Sequence, residues 1–451
     1  MKICYSLIPK QFLSGTRVAL TPVTKLLTLE LIMLSTAHRD IIKATVPILE
    51  TGGEALTTHF YRIMLNDYPQ VRPLFNQANQ ANGAQPRALA NAVLMYARNV
   101  DRLENLGSLA AQIVNKHVAL QILPEHYPIV GACLLRAIRE VLGAEIATDA
   151  VIDAWAAAYQ QLADMLISAE RDVYESIAAA PGGWRGGRLF KVVRKVPESS
   201  EIMSFYLQPV DGKPVIAHKP GQYIGIRLNT EGGEIRRNYS LSAPANGVSY
   251  RISVKREQGG VASGYLHDQV AVDDTLELFP PSGEFVLIEG SKPLVLISGG
   301  VGITPTLAMA EAALQAGGRH VVFIHYARNA SVQAFQAVID DWRERYAQFA
   351  AHVVYSEATA GDVPANTVTG LASTEHLQQW LPEDTDVEAY FLGPKPFMVF
   401  MKRALHELGV PDRQSHYEFL VRPRRWPERI QMRRSAYLLK HPLKKAASSI
   451  F

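Results

Sequence analysis

Three stretches of this 451-residue chain hold residue types that could do chemistry. In "NKHVALQIL", residues 115–123, His117 stands alone in an apolar, helix-like run. A neutral imidazole can ligate a metal through one ring nitrogen while the other donates to an acceptor. It can equally be a core histidine, and the stretch by itself leaves both readings open. The second stretch, "LISGGVGITPTLAMAEAAL", reads as strand, glycine turn and helix. Gly299, Gly300 and Gly302, with Val301 and Ile303 between and after them, would let backbone N–H groups approach a pyrophosphate at a helix N-terminus. Thr304 and Pro305 suit the first turn of that helix. A glycine turn of this kind also occurs as an ordinary strand-to-helix loop. "FLGPKPFM" (391–398) places Gly393 and Pro394 after a later strand, at the same carboxyl edge where ligands bind in such sheets. The third stretch is "RRNYSLSAP", with Arg237, Asn238, Tyr239 and Ser240. Arg can pair with a phosphate, an aromatic ring can stack on a planar group, and Ser can hydrogen-bond its edge; an ordinary exposed strand is the alternative. Downstream, "EQGGVASGYLH" has Gly259 and Gly260 opening a short helix with Ser263, a second N-terminus suited to phosphate.

These residues need three different frames. From about 36 to 180, apolar residues recur at helical spacing, as in "EALTTHFYRIMLNDYP" and "DAVIDAWAAAYQQLADMLISAERDVYESI". Ser35 or Thr36 can cap the first helix. Pro69, Pro73, Pro86, Pro124 and Pro128 fall where helices should turn or begin. "AAAPGGW" closes this all-α domain with Pro181, Gly182 and Gly183 as a linker. After Trp184, short alternating strands separated by Gly, Pro and Asn turns predict a small antiparallel barrel. From about 292, apolar strands alternate with helical stretches, which predicts a doubly wound α/β domain with a parallel sheet. The expected domains are 33–180, 184–288 and 289–419.

A chain of this length exceeds one ordinary core, so several domains are expected. The two cysteines, Cys4 and Cys133, rule out a disulfide framework or a cysteine-ligated cluster and fit a reducing cytoplasm. No run approaches the roughly 18 apolar residues of a spanning helix. The net charge of +3 hides an asymmetry. Residues 1–32 carry four basic and one acidic residue, and residues 420–451 carry nine and one. The body between Met33 and Phe419 holds 33 basic and 41 acidic residues, so its charge offers no reason to expect nucleic acid as a partner. The first 32 residues lack an apolar core followed by a small-residue cleavage site, and the functional chain is expected to begin at Met33.

Across 184–419 the sequence resembles the ferredoxin reductase superfamily: "PGQY" with Tyr223, R-x-Y-S at 237–240, the GGxxS turn at 259–263, "GVGITP" and a C-terminal "GP" turn occur in order. That resemblance implies an FAD barrel and an NAD(P)H domain. With "HFY" (Tyr61), "PLFN" (Phe75), "NQANGAQPRAL" (Gln85), "NKHVALQI" (Lys116, His117), "EHYPIVG" (Tyr127) and "AERDVY" (Glu170), the helical domain resembles a globin and the whole chain a flavohemoglobin. The resemblance implies haem b ligated by His117, a proximal relay of Glu170 and Tyr127, a distal pair of Tyr61 and Gln85, and Phe75 against the porphyrin. It further implies a cytoplasmic, monomeric nitric oxide dioxygenase that uses NAD(P)H, FAD and haem to convert NO and O2 to nitrate. A globin that senses or binds O2 or NO, with a reductase that resets the iron, is the alternative; a reductase serving an external acceptor is another. Nucleotide preference stays open: "HYARN" offers Arg328 and shows no clear acidic competitor.

The C-terminus departs from the family pattern. After "SHYEF", with Phe419 expected at the flavin, Leu420 and Val421 stand where an aromatic and a glycine are expected. The basic segment that follows resembles an out-of-frame readthrough, a nucleic-acid or acidic-lipid tail being the functional alternative. The expected consequence is weakened FAD binding without loss of haem.

Overall fold

The computed structural model describes residues 34–75, 83–357 and 367–418. Phe419, the N-terminal 33 residues and the basic segment therefore lie outside the described residues.

The helical domain begins at α1 (Thr36–Ala44), where the Ser35 hydroxyl accepts from the His38 N–H at 3.1 Å and so satisfies an orphan donor of the first turn. Helix α2 (Val46–Asp67) buries Leu49, Gly53, Leu56, Phe60, Ile63 and Met64 along one stripe, the spacing of an amphipathic helix. Helices α3 (Ala84–Arg98), α4 (Gly107–Leu120), α5 (His126–Ile146) and α6 (Asp149–Ala179) complete it. Two close crossings fix the packing of these helices. On α2, the Thr57 hydroxyl donates to the Pro86 carbonyl of α3 at 2.8 Å, while Gly53 brings the two backbones together, its notional Cβ lying 3.6 Å from Ala90. On α5, Gly131 admits the ring of Tyr159 from α6, whose Cε1 would lie 2.6 Å from any Cβ there. The Tyr159 hydroxyl then donates to the Tyr127 carbonyl at 2.6 Å.

The barrel domain is one antiparallel six-stranded sheet in the order β4-β3-β6-β1-β2-β5, formed by β1 (Arg188–Pro197), β2 (Ile202–Pro209), β3 (Tyr223–Thr230), β4 (Gly233–Ser240), β5 (Tyr250–Lys255) and β6 (Thr275–Leu278). Its inner positions, among them Phe190, Phe205, Ile224, Ile226 and Leu278, are fully buried. That is the alternation of a sheet with one face on a core. The short helix α7 (Val261–Asp268) follows the Gly259–Gly260 turn.

The last domain is a parallel sheet in the order β10-β9-β8-β7-β11-β12, from β7 (Leu294–Gly299), β8 (Val321–Ala327), β9 (Phe349–Tyr355), β10 (Thr367–Thr369), β11 (Glu388–Leu392) and β12 (Ser415–Tyr417). Every residue of β7 and β8 is buried, as expected for strands covered on both faces. Helix α8 (Ile303–Ala316) packs Leu307, Met309 and Leu314 into one core, and α9 (Lys395–Glu407) packs Met398, Met401 and Leu405 into another. The strand order reverses between β7 and β11, which makes their carboxyl ends the crevice for a ligand. No helix among the described residues is long and apolar enough to cross a membrane.

The crossings predict opposite outcomes for two helical glycines. Gly131→Val should lower the stability of the helical domain by about 1–3 kcal/mol through overpacking against Tyr159. Gly52→Ala, with no atom within 4 Å of its notional Cβ, should raise it by roughly 0.5–1 kcal/mol through helix propensity. Scanning calorimetry of the two variants reads both shifts.

Candidate functional site

His117 sits in the last turn of α4. Its Nδ1 lies 2.7 Å from Glu170 Oε1 and 3.2 Å from the Tyr127 hydroxyl. Tyr127 donates to the same Glu170 oxygen at 2.6 Å. Three helices thus converge on one carboxylate oxygen: His117 from α4, Tyr127 from α5 and Glu170 from α6. Glu170 is only 2 % exposed, and a buried carboxylate requires such donors. Burial, reinforced by Glu170, pushes the Tyr127 phenol well above its ordinary range, so it stays a donor. With Nδ1 held as the donor, Nε2 carries the lone pair, which is the tautomer a metal ligand needs. The His117 side chain keeps 31 % of its surface exposed beside this buried pair. The residues present therefore fit an axial haem ligand with its supporting acceptor.

On the other side of the helical core, Tyr61 projects from α2, 7 % exposed, with its ring edge-on to Phe60 and Phe75 at 4.9 and 5.7 Å. Gln85 lies in the first turn of α3, beside the Pro86 carbonyl that Thr57 holds. Thr57 is one turn from Tyr61, so the α2–α3 contact places Tyr61 and Gln85 on adjoining turns of packed helices.

In the barrel, Tyr239 and Ser240 face Ile224 and Tyr223 across the β3–β4 ladder, and Arg237 faces Ile226. Burial lowers the Arg237 guanidinium and raises the phenols of Tyr239 and Tyr223. The Tyr223 ring lies over Gly283, where a Cβ would come within 2.8 Å. At the Gly259–Gly260 turn, Gly259 has φ +70°, a conformation glycine adopts at little cost. Ser263 accepts from the Glu257 N–H at 3.1 Å and donates to the Gly260 carbonyl at 3.2 Å; it closes the turn whose N–H groups open α7. Backbone N–H groups at a helix start can bind a phosphate, and an aromatic ring such as Tyr239 can stack on a planar group.

In the parallel-sheet domain, Gly302 packs so tightly that a Cβ would lie 2.4 Å from the Leu392 carbonyl oxygen, and Gly300 has φ +55°. Thr304 donates to the Val301 carbonyl at 3.0 Å within the turn. Gly393 approaches Gly299, and the Phe397 ring lies against both. The turns at 299–305 and 393–394 thus meet at the carboxyl ends of β7 and β11. Beneath them, buried Ser298 meets His325 Nδ1 at 2.8 Å, and burial holds that imidazole down at about 4.

The halves meet at α4. Arg236 donates to the Leu120 carbonyl at 2.8 Å, capping the negative end of the helix that carries His117. Asn115 donates to Glu284 at 2.6 Å, and the backbone of Gly225 closes on Ala119, where a Cβ would lie 2.9 Å from the carbonyl oxygen. Burial raises the Glu418 carboxyl, against the pull of nearby Lys116. Glu418 therefore reaches this junction, one residue before Phe419.

Arg236, Asn115, Glu284, Gly225 and Tyr159 were not singled out from the sequence. Their role depends on contacts across domains or helices, and only the "RR" preceding N-Y-S offered a local signal. Arg328, read from "HYARN", forms an ion pair with Glu201 of the barrel. Glu201 lies 127 positions away in the chain, so no local window could pair the two.

Residues 58–166 match the globin family, 189–287 the oxidoreductase FAD-binding domain and 296–403 the oxidoreductase NAD-binding domain. Flavohemoproteins of Pseudomonas aeruginosa and Pseudomonas putida are each 63 % identical over 387 residues, spanning 86 % of this chain and 98 % of the relative. The crystal structure of a flavohemoglobin from Malassezia yamatoensis with bound FAD and haem superposes with a TM-score of 0.75, at 26 % identity, covering 86 % of this chain and 99 % of that one. The chain belongs to the flavohemoprotein family, a globin joined to FAD- and NAD-binding reductase domains.

Proposed function

We propose that this chain is a cytoplasmic NAD(P)H-dependent nitric oxide dioxygenase, with a globin unit at 33–180, an FAD barrel at 184–288 and a nucleotide domain at 289–419. The observation that carries the reading is the α4 junction: the helix bearing the haem ligand rests directly on the strand pair bearing the flavin contacts. A reductase serving an external acceptor would not require this contact; a sensing globin whose iron the reductase resets would share it, and turnover separates the two.

When bound, haem, FAD and NAD(P)H together supply the redox chemistry that turns nitric oxide and dioxygen into nitrate, while the protein contributes position and electrostatics. With Nδ1 engaged by Glu170, His117 would hold the haem iron through Nε2. Glu170 accepts the Nδ1 proton's hydrogen bond, fixes the ring orientation and increases the ligand's basicity. Tyr127 keeps that carboxylate in place and compensates its burial. Tyr61 and Gln85 would offer hydrogen-bond donors to a gas held at the haem, and Phe75 packs edge-on against the Tyr61 ring. Arg237, Tyr239 and Ser240 would hold and orient the flavin. Gly299–Pro305 and Gly393–Pro394 hold the nucleotide at the carboxyl edge of β7 and β11.

Aerobic NO consumption by the purified chain with NAD(P)H tests the reading. Turnover that disappears in His117→Ala supports it. Tight gas binding with slow or absent turnover in the parent chain selects the sensing alternative.

Glu170→Gln should retain haem but slow turnover by about ten-fold or more, since supporting partners of a metal ligand typically contribute 10–100-fold. The ferric–ferrous potential should rise in the same variant, because a neutral amide makes the imidazole a weaker donor. Redox titration of the haem band checks this; a potential equal to the parent's removes Glu170 from the relay.

A further inference from the structure

Arg236 lies on β4 between the two sets of residues read as cofactor contacts, and it touches both. Its Nη1 donates to the Leu120 carbonyl at 2.8 Å, and Leu120 is the last residue of α4, one turn beyond His117. Its own carbonyl accepts from Arg237 Nη1 at 2.7 Å, and Arg237 is one of the three β4 residues read above as holding the flavin. The Arg236 side chain is only 14 % exposed. A row of alternating charges across β4, β3 and β6 keeps it in place. Glu234 accepts from Arg236 Nε at 2.9 Å, its second oxygen faces Arg227 Nε at 3.5 Å, and Arg227 Nη1 donates to Glu277 at 3.0 Å. The Phe279 ring centre lies 5.1 Å from the Arg236 guanidinium and 5.5 Å from that of Arg227, within cation–π range. A planar guanidinium held by a carboxylate on one edge and a ring on one face aims its remaining donors in a fixed direction. Here that direction is the end of α4.

We infer that Arg236 is a positioning residue for electron transfer from flavin to haem: it fixes the helix that bears His117 against the strand that bears the flavin contacts, and its charge favours the reduced iron. The inference rests on the reading of the chain as a haem–flavin enzyme. Two separable effects are involved. The hydrogen bond to Leu120 sets how helix and strand lie against each other, and transfer between two cofactors falls steeply as their separation grows. The positive charge stands at the negative end of the helix carrying the haem ligand, where it favours ferrous over ferric iron by electrostatics. Lysine in place of Arg236 keeps a donor and the charge. Glutamine keeps a donor alone, and leucine keeps neither.

Anaerobic mixing of the fully loaded chain with NADH, combined with redox titration of the haem band, tests this in Arg236→Lys, Arg236→Gln and Arg236→Leu. Haem content, FAD content and the rate of flavin reduction should match the parent in all three variants. Haem reduction after the flavin should slow by about ten-fold or more in Arg236→Leu, the scale on which small misplacements of reacting groups act. It should slow less in Arg236→Gln and recover most of the parent rate in Arg236→Lys. The haem potential should fall in the leucine and glutamine variants and hold in the lysine variant. Parent-like haem reduction in Arg236→Leu overturns the positioning role. So does a slowing shared equally by flavin reduction, or a loss of haem or FAD that lysine does not reverse, since either marks a purely structural residue. A potential unchanged in both uncharged variants overturns the effect of charge. If NADH reduces the parent's flavin and its haem stays ferric, the reading of the chain as one enzyme fails, and the inference falls with it.

Discussion

A single carboxylate oxygen, Glu170 Oε1, organises the helical domain's chemistry. It is buried to 2 % exposure and accepts from both His117 and Tyr127. A charge taken out of water is costly unless donors surround it, so α4, α5 and α6 must converge to within hydrogen-bond reach. Gly131 and Tyr159 allow α5 and α6 that approach, and Tyr174 from α6 ties off the Ile122 carbonyl just beyond α4 at 2.8 Å. The histidine is consequently oriented by tertiary packing as much as by its own helix.

The end of α4 also joins the globin to the reductase. Its last carbonyl, that of Leu120, accepts from Arg236, and its backbone meets Gly225 with no side chain between. The ladder that carries Arg236 also carries Arg237, Tyr239 and Ser240 in register with β3. His117 and the Arg237, Tyr239 and Ser240 side chains therefore lie on directly connected elements. At the opposite edge of the barrel, the Arg328–Glu201 pair and the Ser200–Ser331 hydrogen bond clasp the nucleotide domain. The barrel is the member that both outer domains touch through named contacts.

Much of this was legible from residues alone. Helical spacing, the strand alternation after Trp184 and the strand–glycine–helix pattern at 294–316 are local signals, and the elements formed where they predicted. Glycines 300 and 302 and the R-x-Y-S strand announce close backbone approach and ring contact through residue type. His117 could not be separated from a core histidine by its own window, because its meaning lies in Glu170, 53 positions away. The same holds for Arg328, whose partner comes from another domain. Phe419 and the basic segment lie outside the described residues, although Glu418 shows that the chain reaches the α4 junction just before them.

The central claim is that electrons entering at the nucleotide cradle reach the haem through the barrel within one chain. Anaerobic stopped-flow mixing of the oxidised, fully loaded protein with NADH, following the flavin and haem bands separately, tests it most directly. The account predicts loss of the oxidised flavin band followed by complete conversion of the haem to its ferrous form, at a rate independent of protein concentration. Flavin reduction with a persistently ferric haem, or haem reduction that scales with protein concentration, would contradict it.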